Sequence, residues 1–110
     1  MSAYEKAISA IQSTIFVKKS LFVCENEIQV IDVLHELTEQ DYPCTDKIAE
    51  FDERYRMLII TAETLADMID YIDMDEMTAI YTMLSPSATS YLEFISVIVQ
   101  NNHIGLWCFL

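Results

Sequence analysis

The stretch that decides the fold is Arg56-Met-Leu-Ile-Ile-Thr61. Four consecutive apolar residues, too few for a helix and apolar on both alternating sides, predict a strand buried on both faces, as in the centre of a parallel sheet. Working outward, Ser20-Leu-Phe-Val-Cys24 is a second short apolar run of the same kind. Met77–Leu84 is a third, broken by Ser85-Pro86-Ser87, and Ile104–Leu110 is a fourth. Helical spacing fills the gaps between them. Tyr4, Ala7, Ile8 and Ile11 mark one face of a helix over 4–14. Asn26 is a cap for a second helix with Ile28, Val30, Ile31, Val33, Leu34 and Leu37, ended by Asp41-Tyr-Pro43. A short helix over Asp46–Glu53 would bury Ile48, Ala49 and Phe51, and another would use Leu65, Ala66 and Ile69. Thr89 or Ser90 opens the last helix, through Tyr91, Leu92, Ile95 and Val99, with a turn at Asn101-Asn102. Alternating strands and helices with short connections predict one α/β domain over 1–110: a parallel sheet flanked by helices, with right-handed crossovers.

Composition narrows the function. With 110 residues, 53% of them apolar, one Gly and two Pro, the chain has material for one modest core and is neither a linker nor a disordered tail. Charges interrupt every hydrophobic stretch before the roughly 18 residues of a membrane span, and Glu5 and Lys6 are wrong for a secretory leader. Cys24, Cys44 and Cys108 are odd in number and widely spaced, which favours reduced thiols and a cytoplasmic location; Cys24 and Cys108 are expected to be buried in strands.

Eighteen acids against six bases give a net charge of −12. The bases are Lys6, Lys18, Lys19, Lys47, Arg54 and Arg56, so no Lys or Arg occurs from Met57 to Leu110. Nucleic-acid backbones are bound by cations that displace condensed counterions, so the second half speaks against direct RNA binding. No GxxxxGK[ST] phosphate loop is present. The cysteines and the two histidines, His35 and His103, form no local metal half-site, and Cys44 in its turn has no identifiable catalytic base. The expectation is no metal, no cofactor and no catalytic residue. The acidic run Asp70-Tyr-Ile-Asp73-Met-Asp75-Glu76 lacks the glycine of a calcium loop and reads as a solvated acidic loop or a recognition surface for a basic partner.

The order of blocks resembles the C-terminal RecA-like lobe of DEAD-box RNA helicases over nearly the whole chain. Leu21-Phe-Val-Cys-Glu25 and the following helix are similar to that family's IFxNT segment, and Met57-Leu-Ile-Ile-Thr-Ala-Glu63 to its ILISTD strand. Ala66-Asp67-Met68-Ile69-Asp70 falls on ARGID, and Ala79–Pro86 on the strand that ends in a proline. Tyr91-Leu92 precedes the HRxGRxGR motif, and Gly105–Leu110 resembles the closing strand. The departures fall on the functional positions. Asp67 and Met68 stand where the family has Arg and Gly, and Glu93-Phe94-Ile95-Ser96-Val97-Ile98-Val99-Gln100 replaces HRxGRxGR, with Phe94, Val97 and Gln100 in place of its arginines. The arginine at Val97 would be the finger that stabilises charge on a transferring phosphoryl group, worth roughly 10³–10⁵ in rate. Between Cys44 and Asp46 the chain is also shorter than the family pattern, where an RNA-contacting segment would lie.

The resemblance therefore implies a pseudo-helicase lobe, not an enzyme, excised from a longer chain whose other lobe is missing. It implies a protein-interaction or self-association module with Phe94, Val97 and Ile98 as apolar anchor and Asp67, Asp73, Asp75 and Glu76 as acidic rim. The chain is similar in this to the degenerate helicase-like regions of Yb-type Tudor scaffold proteins, which implies ribonucleoprotein assembly in germline RNA silencing. Two other classes fit part of the sequence: an acidic decoy for a basic partner, and one lobe of a functioning RNA-dependent ATPase.

Overall fold

The computed structural model describes residues 3–13, 19–52, 54–85 and 87–109. Helix α1 (Ala3–Ser13) leads to strand β1 (Ser20–Cys24) and helix α2 (Glu27–Glu39). Strands β2 (Cys44–Thr45) and β3 (Met57–Thr61) follow, then helix α3 (Ala62–Met68), strand β4 (Ala79–Thr82), helix α4 (Thr89–Asn102) and strand β5 (Gly105–Cys108). Short 3₁₀ turns occupy Ile48–Glu50, Ile69–Tyr71 and Met74–Glu76. Every strand pair is parallel, in the order β2-β3-β1-β4-β5. The result is one α/β domain whose sheet is consistent with a RecA-like parallel sheet.

Strand alternation sorts the core into two layers. Phe22 and Cys24 of β1, Met57 and Ile59 of β3, and Ala79 and Tyr81 of β4 face Ala7, Ile8 and Ile11 of α1 and Val30, Val33 and Leu37 of α2. Leu21, Val23, Leu58, Ile60 and Ile80 face the other way, onto Leu65 of α3 and Ile95 and Ile98 of α4. Both faces are covered, which is why β1 and β3 are buried at every position. Phe22, Tyr81 and Trp107 form a ladder across the first face, with ring centroids 6.3 and 6.2 Å apart.

The helix ends have local causes. The Asn26 side chain accepts a hydrogen bond from the Gln29 amide at 2.9 Å, and the Gln29 side chain accepts one from the Glu25 amide at 2.9 Å. Thr61 caps α3 in the same way, through the Thr64 amide. At the other end of α2, Asp41 adopts φ 59°, so that the amides of Asp41 and Tyr42 reach the carbonyls of Thr38 and Leu37. His103 closes α4 with φ 55°, and the Ile104 amide donates to Val99. Both are left-handed closures that glycine usually supplies. This chain's only glycine is Gly105, so Asp and His do the work.

Several expectations need correction. The helix expected over Asp46–Glu53 is only a 3₁₀ turn at Ile48–Glu50, with Glu53 outside the described residues. Thr45 hydroxyl accepts from the Lys47 amide and donates to Glu50, a local network that competes with a helical start. Ala49 is exposed there, while Ile48 and Phe51 are half-buried. Strand β2, which the sequence does not signal, draws Cys44 and Thr45 into pairing with Met57 and Leu58. Asn101 and Asn102 belong to the last turn of α4, and the chain reverses at His103. Cys108 is exposed because β5 is an edge strand, with only β4 beside it. Leu110, Thr14 and Pro86 lie outside the described residues. Among the described residues no helix is long and apolar enough to cross a membrane.

Candidate functional site

Open parallel sheets bind ligands at the carboxyl ends of their strands, where successive connections diverge to opposite faces. Here that place lies between β1 and β4: the chain leaves β1 for α2 on one face and leaves β4 for α4 on the other. A carboxylate bridges it. The Ser85 backbone N–H, just past β4, donates to a carboxylate oxygen of Glu25, just past β1. Hydrogen bonds from Ser85 hold the Glu25 carboxyl below the usual carboxylate pKa, which keeps it charged. A fixed negative charge in the crevice repels a phosphate, the ligand such crevices most often hold. Sequence reading missed this contact; Glu25 and Ser85 are 60 positions apart, and nothing local links them.

Helix α4 carries Glu93–Gln100, the segment expected to stand in place of HRxGRxGR. Thr89, Leu92, Glu93, Ser96, Val97 and Gln100 line a shallow depression of about 380 Å³ on its outer side. Val97 is 55% exposed at its centre, whereas Ile98 is 8% exposed and packs beneath the sheet with Ile95. Phe94 is half-buried against the same core. Ile98 therefore cannot belong to an exposed anchor: successive helical residues point about 100° apart, and the phase that puts Val97 outward turns Ile98 inward.

The expected acidic rim does not border this depression. Asp67 is exposed and Met68 half-buried at the end of α3, which packs beside α4. Asp73, Asp75 and Glu76 lie before β4, at the amino end of the sheet, and none of them lines the depression. Glu76 is ion-paired with Lys19 at 2.9 Å, and Lys19 also lies 5.0 Å over the Phe51 ring. The Asp73 carboxylate accepts from the Asp75 amide at 3.0 Å and holds its own turn. Glu93 is the single carboxylate among the described residues of the depression, and no cation lines it.

Two of the three thiols are withdrawn from chemistry. Burial, with the Glu27 carboxylate adding, pushes the Cys24 thiol up to about 12. Burial also raises Cys44, partly offset by its contact with the Thr38 hydroxyl at 3.9 Å. Among the described residues no group of three or more His, Cys, Asp or Glu side chains is placed to hold a metal ion.

Fold and site together define an α/β protein with a parallel sheet, the Glu25 carboxylate at the switch point and a shallow depression on α4 in which Glu93 is the single charged residue described. No family model matches the chain, and no curated protein or solved structure is significantly similar to it.

Proposed function

We propose that this chain is a noncatalytic, DEAD-box helicase-like lobe that works as a protein-interaction module, pairing with a second copy through the outer side of α4. The observation that carries this reading is Val97, 55% exposed in the middle of a helix, at a position where the helicase resemblance expects the arginine finger. Phe94 and Gln100 likewise stand where arginines are expected, and from Phe94 to Leu110 the sequence has no Asp, Glu, Lys or Arg. With Glu93 the single charged residue among the described residues lining it, this helix face on a chain of net charge −12 is one where two copies meet comparatively little repulsion. Apolar area removed from water drives the pairing, at about 25 cal/mol per Å². The setting that fits best is a scaffold of a cytoplasmic ribonucleoprotein body, in which this lobe contributes association and neither hydrolyses ATP nor binds RNA.

The test is the mass in solution by light scattering after gel filtration, across protein concentration and at low and high salt. A concentration-dependent dimer that persists at high salt supports the reading. A monomer throughout overturns it.

A further inference from the structure

Strand β5 ends the sheet, with β4 on one side and no described strand on the other. Its four residues are all exposed, Leu106 at 37% and Trp107 at 43%. The ladder shows which backbone groups this edge leaves open. The Gly105 N–H donates to the Thr78 carbonyl at 3.2 Å and the Phe109 N–H to the Thr82 carbonyl at 2.9 Å. Between them the Trp107 carbonyl accepts from the Thr82 hydroxyl at 3.4 Å. Positions 105, 107 and 109 therefore turn toward β4, and by alternation Leu106 and Cys108 turn N–H and C=O outward. Proteins guard such edges with a charge, a proline or a bulge. The opposite edge, β2, is two residues long and lies between Pro43 and Asp46. Strand β5 has no such guard. Its register with β4 is unbroken over four pairs, and from Phe94 to Leu110 there is no Asp, Glu, Lys, Arg or Pro.

We propose that β5 pairs edge to edge with β5 of a second copy, antiparallel, as a second contact between copies. Open N–H and C=O groups in a row call for another strand. Charge then chooses which strand. Glu93 is the one Asp, Glu, Lys or Arg from Met77 to Leu110, so two copies of net charge −12 meet little repulsion between these strands. A basic segment finds no carboxylate on β4 or β5, and a nucleic acid finds no cation. The register follows from the outward groups. With the two-fold axis at Trp107, Leu106 of each copy lies opposite Cys108 of the other, and each pair exchanges two N–H···O bonds. The two Trp107 residues then face each other in the closely spaced kind of pair, Cα atoms about 4.5 Å apart. Moving the axis to Leu106 would set Cys108 against Ile104, whose N–H is already given to Val99. Four residues a side bury little area, so this contact is weaker than the α4 pairing and fills only toward about 1 mM. It stands without that pairing. Where both form, alternating two-fold contacts join copies into an open chain, and that chain rests on the α4 reading.

The test is amide hydrogen exchange followed by NMR at about 0.05 and about 1 mM, on the parent chain and on Val97→Arg, which separates the two contacts. Leu106 and Cys108 amides are expected to exchange at least about twofold more slowly at the higher concentration in both proteins. Trp107 is the chain's single tryptophan, so its emission moves to the blue over the same range and its quenching by acrylamide falls. Leu106→Lys, at an exposed edge position, and Cys108→Pro, which deletes an outward N–H, each remove these effects. No concentration dependence up to about 2 mM, equal slowing across the whole sheet, persistence in both edge variants, or loss in Val97→Arg overturns the β5 pairing. A failure of the α4 reading alone leaves all of these readouts unchanged.

Discussion

Replacing Val97 with Arg and, separately, Ile98 with Ala puts two adjacent residues of α4 to opposite tests. Ile98 is 8% exposed, in the layer shared with Leu65, Ile80 and Ile95. Truncating a buried isoleucine costs about 2–5 kcal/mol, from lost transfer energy and the cavity left behind. Domains of this size have only about 5–15 kcal/mol in total, so Ile98→Ala removes a large share. With a urea m-value of about 2 kcal/mol/M, a loss of about 3 kcal/mol lowers the midpoint by about 1.5 M. Val97 is 55% exposed in mid-helix, where arginine is a slightly better helix former than valine, by a few tenths of a kcal/mol. Its replacement is expected to shift stability by no more than about 0.5 kcal/mol, or about 0.25 M in urea midpoint. The assay is urea unfolding followed by far-ultraviolet circular dichroism, run dilute because association itself raises apparent stability. Light scattering of the same samples at high concentration reads the second outcome: Val97→Arg abolishes the dimer, while folded Ile98→Ala keeps it. A midpoint loss in Val97→Arg as large as in Ile98→Ala would refute the assigned helix phase. A stable Val97→Arg that still dimerises would remove the outer side of α4 as the interface.

Four further outcomes follow from single residues. A thiol reagent at pH 8 should titrate one fast cysteine, the exposed Cys108, and all three only in denaturant, because Cys24 and Cys44 are buried with raised pKa values. Since the folded Cys24 value lies above the unfolded one of 9.0, its stabilising contribution is intact below pH 9 and lost as pH rises toward about 12; a Cys24→Ser variant should show less alkaline loss of stability than the parent. Glu25 should titrate below the ordinary 4.5 when its carboxyl carbon is followed by NMR, and Ser85→Ala, which removes the side-chain hydrogen bond and keeps the backbone one, should move that midpoint part of the way back up; the contribution of these contacts is present above the ordinary carboxylate value and fades as pH falls. His103→Gly should raise the unfolding midpoint by about 0.5–1 kcal/mol, because glycine carries φ 55° without the steric cost of a side chain; a loss of stability would show that the imidazole makes a compensating contact.

Much of the architecture was legible along the chain. The runs at Leu21–Cys24 and Met57–Ile60 are apolar on both alternations, and only a sheet covered on two faces has use for that. The helical spacing of Val30, Val33 and Leu37 and the cap at Asn26 placed α2 for equally local reasons. Charge counting excluded a cationic nucleic-acid surface in the second half without reference to any fold. What was not legible depends on partners distant in sequence. Strand β2 exists because Met57 and Leu58 offer Cys44 and Thr45 a ladder, not because two residues have strand propensity. Cys108 is exposed because β5 ends the sheet, although its segment is as apolar as the buried ones. Asp73, Asp75 and Glu76 lie at the amino end of the strands because they directly precede β4, and there Glu76 meets Lys19, 57 positions away. By itself the sequence determined most of the strands and helices, β2 and the turn at Ile48–Glu50 excepted, and that the second half carries no Lys or Arg, because periodicity and charge are properties of neighbouring residues. Only the tertiary structure decided which side of α4 meets solvent, that Glu25 meets Ser85 past the ends of β1 and β4, and that Ile28 and Ile31 of α2 face solvent, because each depends on where packed layers bring distant residues together.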